Sequence, residues 1–269
     1  MIKIISLVCG ECLEEMKKMP SDYIDLTITS PPYDDLRAYN GYSFDFENIA
    51  EELYRITKKG GVVVWVVGDA TIKGSETGTS FKQALYFKKI GFNLHDTMIY
   101  KKKNYVPLTH NRYEQEFEYM FVLSKGKPKT FNPIMIPCKY GGTKTWGSVS
   151  FHKTSNSGLV KCGQKTINLF KQKGNVFEYL TNKSSETKKH PAPFPEDLAK
   201  DHILSWSNEG DLVLDCFMGS GTTGKMCKLL NRNFIGIEIS DKYFEIAKNR
   251  IEKTNVQLSL LSEEGEDKE

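Results

Sequence analysis

Apolar residues fall along this chain in two alternating rhythms. Short β-branched or aromatic runs over Ile2–Val8, Ile24–Thr29, Val62–Val67, Asn93–Tyr100, Phe117–Ser124, Leu212–Cys216 and Phe234–Ile239 have the length and composition of strands. Between them, apolar positions three and four apart predict helices over Cys12–Met19, Asn48–Thr57, residues 80–90, Glu196–Ile203, Thr222–Leu230 and Tyr243–Thr254. Pro20 stops the first helix, and Lys58–Gly61 is expected to break the chain before the next strand. Val62–Val67 has no polar interruption, the pattern of a strand covered on both faces. Strands and helices alternating at this spacing imply a three-layer α/β fold around a mainly parallel sheet.

The rhythm fades after Ser124. Residues 125–189 are rich in Lys, Gly, Ser, Thr and Asn with scattered aromatics, among them Tyr140, Trp146, Phe151 and Phe170. Those aromatics argue for a partly ordered module rather than a linker. The division expected is therefore an α/β half over 1–124, a separate region over 125–189, a second α/β half over 190–260 and an acidic tail over 261–269.

Charge sharpens this division. The net charge of +3 hides an asymmetry: residues 101–189 carry 17 Lys+Arg against 5 Asp+Glu, net +12, and the remainder 20 against 29, net −9. A basic lobe on a neutral-to-acidic body is what a phosphate-contacting region would look like, because lysines gain affinity by displacing counterions from nucleic acid; a solvated basic surface is the alternative. Lys125, Lys127, Lys144 and Lys161 are candidates for that contact. No apolar run approaches the roughly 18 residues of a membrane span, and no signal-like start is present, so a cytoplasmic protein is expected. Cys9 and Cys12 form a C-x-x-C, but no second closely spaced pair completes a zinc ribbon, and the five histidines lack ligand spacing. No metal is expected.

Two motifs carry the chemistry. Thr29-Ser30-Pro31-Pro32-Tyr33 directly follows a predicted strand, which places it at the carboxyl edge where open α/β sheets bind ligands. The consecutive prolines stiffen the turn, fixing φ and removing backbone donors. The second motif is Asp215-Cys216-Phe217-Met218-Gly219-Ser220-Gly221-Thr222-Thr223, also behind a strand. Gly219 and Gly221 permit a sharp turn and close approach of a ligand, and Thr222 and Thr223 suit a helix start. The next strand ends in Glu238-Ile239, an acidic residue where ribose hydroxyls bind in Rossmann-like halves. Taken alone, that half fits a nicotinamide dinucleotide as well as other nucleoside cofactors.

Together the two motifs resemble the DNA amino-methyltransferases, and the catalytic tetrapeptide preceding the glycine loop resembles the circularly permuted beta class. The resemblance covers most of the chain outside residues 125–185. It implies a Rossmann-like class I methyltransferase fold with an inserted target-recognition region, S-adenosylmethionine as cofactor and double-stranded DNA as substrate. It further implies that Asp215, Phe217, Gly219, Ser220, Gly221 and Thr222 surround the methionine part, with Thr29 beside them, and that Glu238 and Ile239 hold the ribose side. His190-Pro191-Ala192-Pro193 resembles the segment that closes the pocket, with His190 and Pro191 in it. Where relatives commonly have Gly-Asp after the first strand this chain has Gly10-Glu11, so Glu11 stands where the cofactor's adenine would be met.

In the same reading Ser30, Pro31, Pro32 and Tyr33 are the catalytic residues. An exocyclic amino group is a poor nucleophile because its lone pair is delocalised into the ring, so acceptors such as the Ser30 hydroxyl and Pro31 carbonyl must favour a tetrahedral nitrogen. Tyr33 offers a stacking face for a base extruded from the duplex. Ser at position 30, rather than Asp, resembles the cytosine-N4 subgroup, with adenine-N6 as the alternative. Two other classes share parts of the pattern: an inactive DNA-binding regulator, and a methyltransferase for RNA or protein amide nitrogens. A cognate restriction endonuclease is open as a partner, as are the monomer and the homodimer.

Overall fold

The computed structural model describes residues 4–32, 44–105, 111–145, 149–152, 159–162, 164–180 and 195–254. In chain order the elements are β1 (Ile5–Cys9), α1 (Cys12–Lys17), β2 (Ile24–Thr29), α2 (Phe46–Ile56), β3 (Thr57–Val67), β4 (Thr71–Ile72), β5 (Ser75–Glu76), α3 (Thr79–Lys89), β6 (Asn93–Lys102) and β7 (Phe117–Ser124). There follow β8 (Met135–Pro137), β9 (Val149–His152), β10 (Leu159–Cys162), β11 (Phe170–Gln172), β12 (Val176–Tyr179), α4 (Glu196–Trp206), β13 (Leu212–Asp215), α5 (Thr222–Leu229), β14 (Asn233–Glu238) and α6 (Asp241–Lys253).

Among the described residues, eight strands form one sheet in the order β1-β14-β13-β2-β3-β7-β6-β12. The first five are mutually parallel, β7 runs antiparallel between β3 and β6, and β12 is parallel to β6. Helices α1, α2 and α3 cover one face; α4, α5 and α6 cover the other. Apolar side chains fill both interfaces. Met16, Leu53, Trp65, Phe87 and Ile237 belong to the cluster on the α1–α3 side, while Leu26, Val64, Leu198 and Phe234 are fully buried outside it. All of Val62–Val67 is buried, as its uninterrupted apolar run requires. Fold class and sheet direction are as the alternation implied.

The structure departs from the expected pattern at two places. Lys58–Gly61 does not break the chain but forms a bulge within β3, where the register with β2 jumps from Ile24 opposite Thr57 to Leu26 opposite Val62. Gly60 adopts φ +83°, its N–H donates to the Lys125 carbonyl at 2.7 Å, and its carbonyl accepts from the Lys129 N–H at 2.9 Å. The segment after β7 thus satisfies the displaced backbone groups, and a glycine supplies the left-handed residue. Regularity also persists in the span read as irregular. In β12, buried Phe177 and Tyr179 alternate with exposed Val176 and Glu178, a period-two signal too short to separate from its Lys- and Asn-rich flanks.

The chain divides into two compact units, Pro133–Gly174 and the rest. Within Pro133–Gly174, β8 pairs antiparallel with β11 and β9 with β10. The ladder is carried between them by a Lys144–Thr166 bridge and by bonds such as Gly142 N–H to Ile167 O at 2.9 Å. This unit has seven lysines and no Asp, Glu or Arg.

Candidate active site

Because β1, β14, β13, β2 and β3 run parallel, their carboxyl ends share one edge. The register sets Cys9 beside Glu238 and Asp215 beside Gly236, and the Gly10 N–H donates to the Glu238 carbonyl at 3.0 Å. Five segments remote in sequence therefore meet there: Gly10-Glu11, Ser30-Pro31-Pro32, the residues after β3, the glycine loop and Glu238-Ile239.

Asp215 is the buried anchor of this edge. Its Oδ1 accepts from the Thr29 hydroxyl at 2.8 Å and the Phe217 N–H at 3.2 Å, and its Oδ2 accepts from the Thr223 hydroxyl at 2.7 Å. Burial pushes its carboxyl up to about 6, against these three donors, which favour the charged form. The same contacts fasten the end of β2 to the glycine loop. Thr29 also lies within 3.8 Å of the Cys216 thiol as acceptor. Phe217 is held edge-on against Phe44 and Trp65, with centroids at 5.8 and 6.4 Å.

Glu238 shapes the other side of the loop. One carboxylate oxygen accepts from the Gly219 N–H at 2.8 Å and the other from the Ser240 N–H at 3.0 Å. It is 8% exposed. Burial raises its pKa, and the backbone donors Ser240, Gly219 and Ile239 offset part of that rise. Gly219 and Gly221 both have positive φ, +52° and +78°. A Cβ at 221 would lie 2.9 Å from Ala247 Cβ of α6, so helix packing and backbone conformation both call for glycine at 221. Glu11 is the N-cap of α1, accepting from the Glu14 N–H at 2.8 Å, and its other oxygen accepts from the Cys12 thiol at 3.4 Å. It is half-buried.

The C-x-x-C thiols are not activated. Partial desolvation and the Asp241 carboxylate, 3.1 Å away, push Cys9 up to about 11, and burial drives Cys12 well above the usual thiol range. Asp69, at the end of β3, is committed to α3, accepting from the Ser80 N–H at 2.8 Å.

Of the sequence-derived site residues, Glu11, Thr29, Ser30, Pro31, Pro32, Asp215, Phe217, Gly219, Ser220, Gly221, Thr222, Glu238 and Ile239 lie on or beside this edge. Tyr33, the neighbouring Asp34, Asp35, Arg37 and Tyr39, and the pair His190 and Pro191 lie outside the described residues. One assignment is overturned. Lys125 follows an antiparallel strand and so stands at the opposite edge, where its ammonium donates to Asp22 Oδ1 at 2.8 Å and to the Tyr54 and Thr57 carbonyls at 2.9 and 3.0 Å. It also sits 4.8 Å from the Tyr54 ring centroid. These contacts make it a structural tie between β7 and α2, not a phosphate contact. Lys127 follows the same strand end.

Sequence reasoning passed over Thr223's bond to Asp215 and Arg250's approach to the loop. Arg250 Nη1 donates to the Ser220 carbonyl at 3.0 Å, the Ser220 hydroxyl at 3.3 Å and the Thr222 hydroxyl at 3.0 Å. The available signal was an arginine between Ala247 and Ile251 on the apolar face of a helix.

These features, a parallel sheet with one antiparallel strand, a glycine loop after β13 and a Ser-Pro-Pro turn after β2, define an amino-methyltransferase architecture. The family model for DNA methylases, named for N6 and N4 methylation, matches residues 24–249, and the chain belongs to that family. Among individual proteins, it is 57% identical over 239 residues to the orphan methyltransferase M.BamHII of Bacillus amyloliquefaciens, covering 85% of this chain and 88% of the relative. It is similar to the solved M1.HpyAVI–SAM complex, with 25% identity, TM-score 0.59, and 92% and 100% of the two chains covered. It also shares the fold of the PvuII DNA methyltransferase (cytosine-N4-specific), with TM-score 0.68, 19% identity, and 96% and 90% covered. Among the described residues no helix is long and apolar enough to cross a membrane.

Proposed function

We propose that this DNA methylase acts site-specifically on duplex DNA, transferring methyl from S-adenosylmethionine to the exocyclic N4 of cytosine. The reading is carried by the 2.8 Å bond between the Thr29 hydroxyl and Asp215 Oδ1. It ties the residue before Ser30-Pro31-Pro32 to the glycine loop, so amino-group acceptors and cofactor-binding elements share one edge.

The donor and acceptor chemistry fits the cofactor. The Glu238 carboxylate accepts from the Gly219 and Ser240 N–H groups through different oxygens, and a carboxylate, with about four lone-pair sites, has capacity for a further donor such as a ribose hydroxyl. Glu11, one strand away, would accept from the adenine amino group, and Asp215 would favour the positive charge of the methionine part. His190 and Pro191 would close the pocket. S-adenosylmethionine supplies an electrophilic methyl on a sulfonium when bound. The chain's own task is to make the amino nitrogen nucleophilic. The Ser30 hydroxyl and Pro31 carbonyl would accept its hydrogens, Pro32 would hold the turn, and Tyr33 would stack on the extruded base. A serine at position 30 supports cytosine over adenine.

Residues 125–189 are the proposed target-recognition region, and within them Pro133–Gly174 has seven lysines without a compensating acid, which suits a phosphate-lined partner. Lys144 and Lys161 keep their proposed role as phosphate contacts. The name of the orphan relative M.BamHII supports a role without a cognate endonuclease. Incubation with mixed-sequence duplex DNA and methyl-labelled cofactor, then nucleoside mass analysis, tests the reading. N4-methylcytosine is expected; N6-methyladenine would retain the enzyme but overturn the base, and cofactor binding without DNA methylation would overturn the activity.

A further inference from the structure

We infer that Arg250 is a positioning residue for the cofactor loop, so that the last helix of the described fold, through one buried guanidinium, sets the loop's binding conformation. The inference rests on the cofactor reading above, and the side chains that carry it, Arg250 and Glu196, lie outside both sequence motifs.

One face of α6 is fitted to the loop. Ala247, Arg250 and Ile251, at i, i+3 and i+4, lie on that face. A Cβ at Gly221 would meet Ala247 at 2.9 Å, and one at Gly224 would meet Ile251 Cδ1 at 2.5 Å. Between these apolar contacts the Arg250 side chain is 3% exposed. Its Nη1 gathers three acceptors from Ser220 and Thr222, and its Nη2 donates to Glu196 at the first turn of α4. Glu196 is held in turn by the Lys225 ammonium of α5 at 2.8 Å. Burial pushes the Glu196 carboxyl up, but the hydrogen bonds and charges of Lys225 and Arg250 outweigh it and hold the carboxyl below its ordinary value.

Three helices thereby converge on Ser220–Thr222, the stretch whose backbone must hold positive φ at Gly221. A buried arginine is costly to desolvate, and apolar residues would fill the space at less expense to stability. What a planar, five-donor cation adds is direction, since it reaches the Ser220 carbonyl, two hydroxyls and a carboxylate at once. Glu238 and Asp215 restrain the loop from the sheet side. Arg250 restrains it from the helix side.

The test is equilibrium binding of S-adenosylmethionine to the full chain and its variants, alongside thermal melting without ligand and a KM-against-kcat split on DNA. Arg250→Met is expected to weaken cofactor binding, and raise the cofactor KM, about 10- to 100-fold, the loss anticipated when charge-assisted hydrogen bonds holding a binding loop are removed. The effect on kcat at saturating cofactor should be smaller, and Arg250→Lys should recover part of the affinity. Should Arg250→Met fail to fold, Glu196→Gln keeps the shape, removes the charge partner and is expected to weaken binding several-fold. A lowered melting temperature with cofactor affinity within about two-fold of the parent would reduce Arg250 to a packing residue and overturn the inference. Failure of the parent itself to bind S-adenosylmethionine would instead overturn the cofactor reading.

Discussion

Burying the Asp215 carboxyl between two threonine hydroxyls makes its protonation part of the folding equilibrium. Its pKa is raised from 3.8 to about 6, so between those values the folded state binds more protons than the unfolded chain. Stability from this group therefore falls as pH rises from about 4 to about 6, and the cost, on the order of 2–3 kcal/mol, is fully present above pH 6. Urea denaturation of the parent and Asp215→Asn at pH 4.5 and 7 should show the difference moving against the parent by part of that amount. A pH-independent difference would show that the carboxyl does not titrate in this range. Gly221→Val should lower stability by about 1–3 kcal/mol and also impair cofactor binding, because its Cβ meets α6 and its φ is positive. Unchanged cofactor affinity in the folded variant would remove Gly221 from the pocket. Tyr33→Ala should slow single-turnover methylation roughly 10- to 100-fold through lost base stacking. An unaltered rate would remove Tyr33 from the stacking role.

At the scale of elements, local signals and remote partners contributed differently. The Asp45 side chain accepts from the Asn48 N–H and starts α2, a cap written in adjacent sequence. The β3 bulge was not legible, because two consecutive glycines read locally as a break and their partners, Lys125 and Lys129, lie more than sixty residues away. Lys125 illustrates the consequence. Its membership of a basic stretch suggested DNA, but the antiparallel direction of β7 carries it to the opposite edge. Lys125→Met is expected to cost about 1–2 kcal/mol in stability, by loss of its charge-assisted hydrogen bonds, while leaving the salt dependence of DNA binding unchanged. Lys144→Gln should do the reverse, reducing the slope of log K against log salt by about 1. Salt titrations of the two variants separate structural from phosphate-contacting lysines.

At the scale of the whole molecule, the uneven charge of the chain resolves into an acid-free unit, Pro133–Gly174, and an α/β unit with its own core. Replacing Pro133–Gly174 with a flexible Gly-Ser linker should leave S-adenosylmethionine binding near the parent value and abolish sequence-specific DNA methylation. Retention of the parent's methylation pattern would move target reading elsewhere in the chain. The apolar run of β3, the two strand-loop motifs and the alternation of elements were all legible, since each is a local pattern whose meaning depends on neighbours within one or two turns.

Sequence by itself determined the class of fold, the order of the two motifs and the residue types at the carboxyl edge, because hydrophobic period and turn chemistry act over short distances. Tertiary structure decided what those residues do together. Thr29 reaches Asp215 across 186 positions, Arg250 reaches Ser220 across 30, and Lys125 reaches Asp22 across 103. Such partnerships depend on strand order, strand direction and which helix face meets which loop. These are settled only when both faces of the sheet are buried at once, and no local window of the chain contains that information.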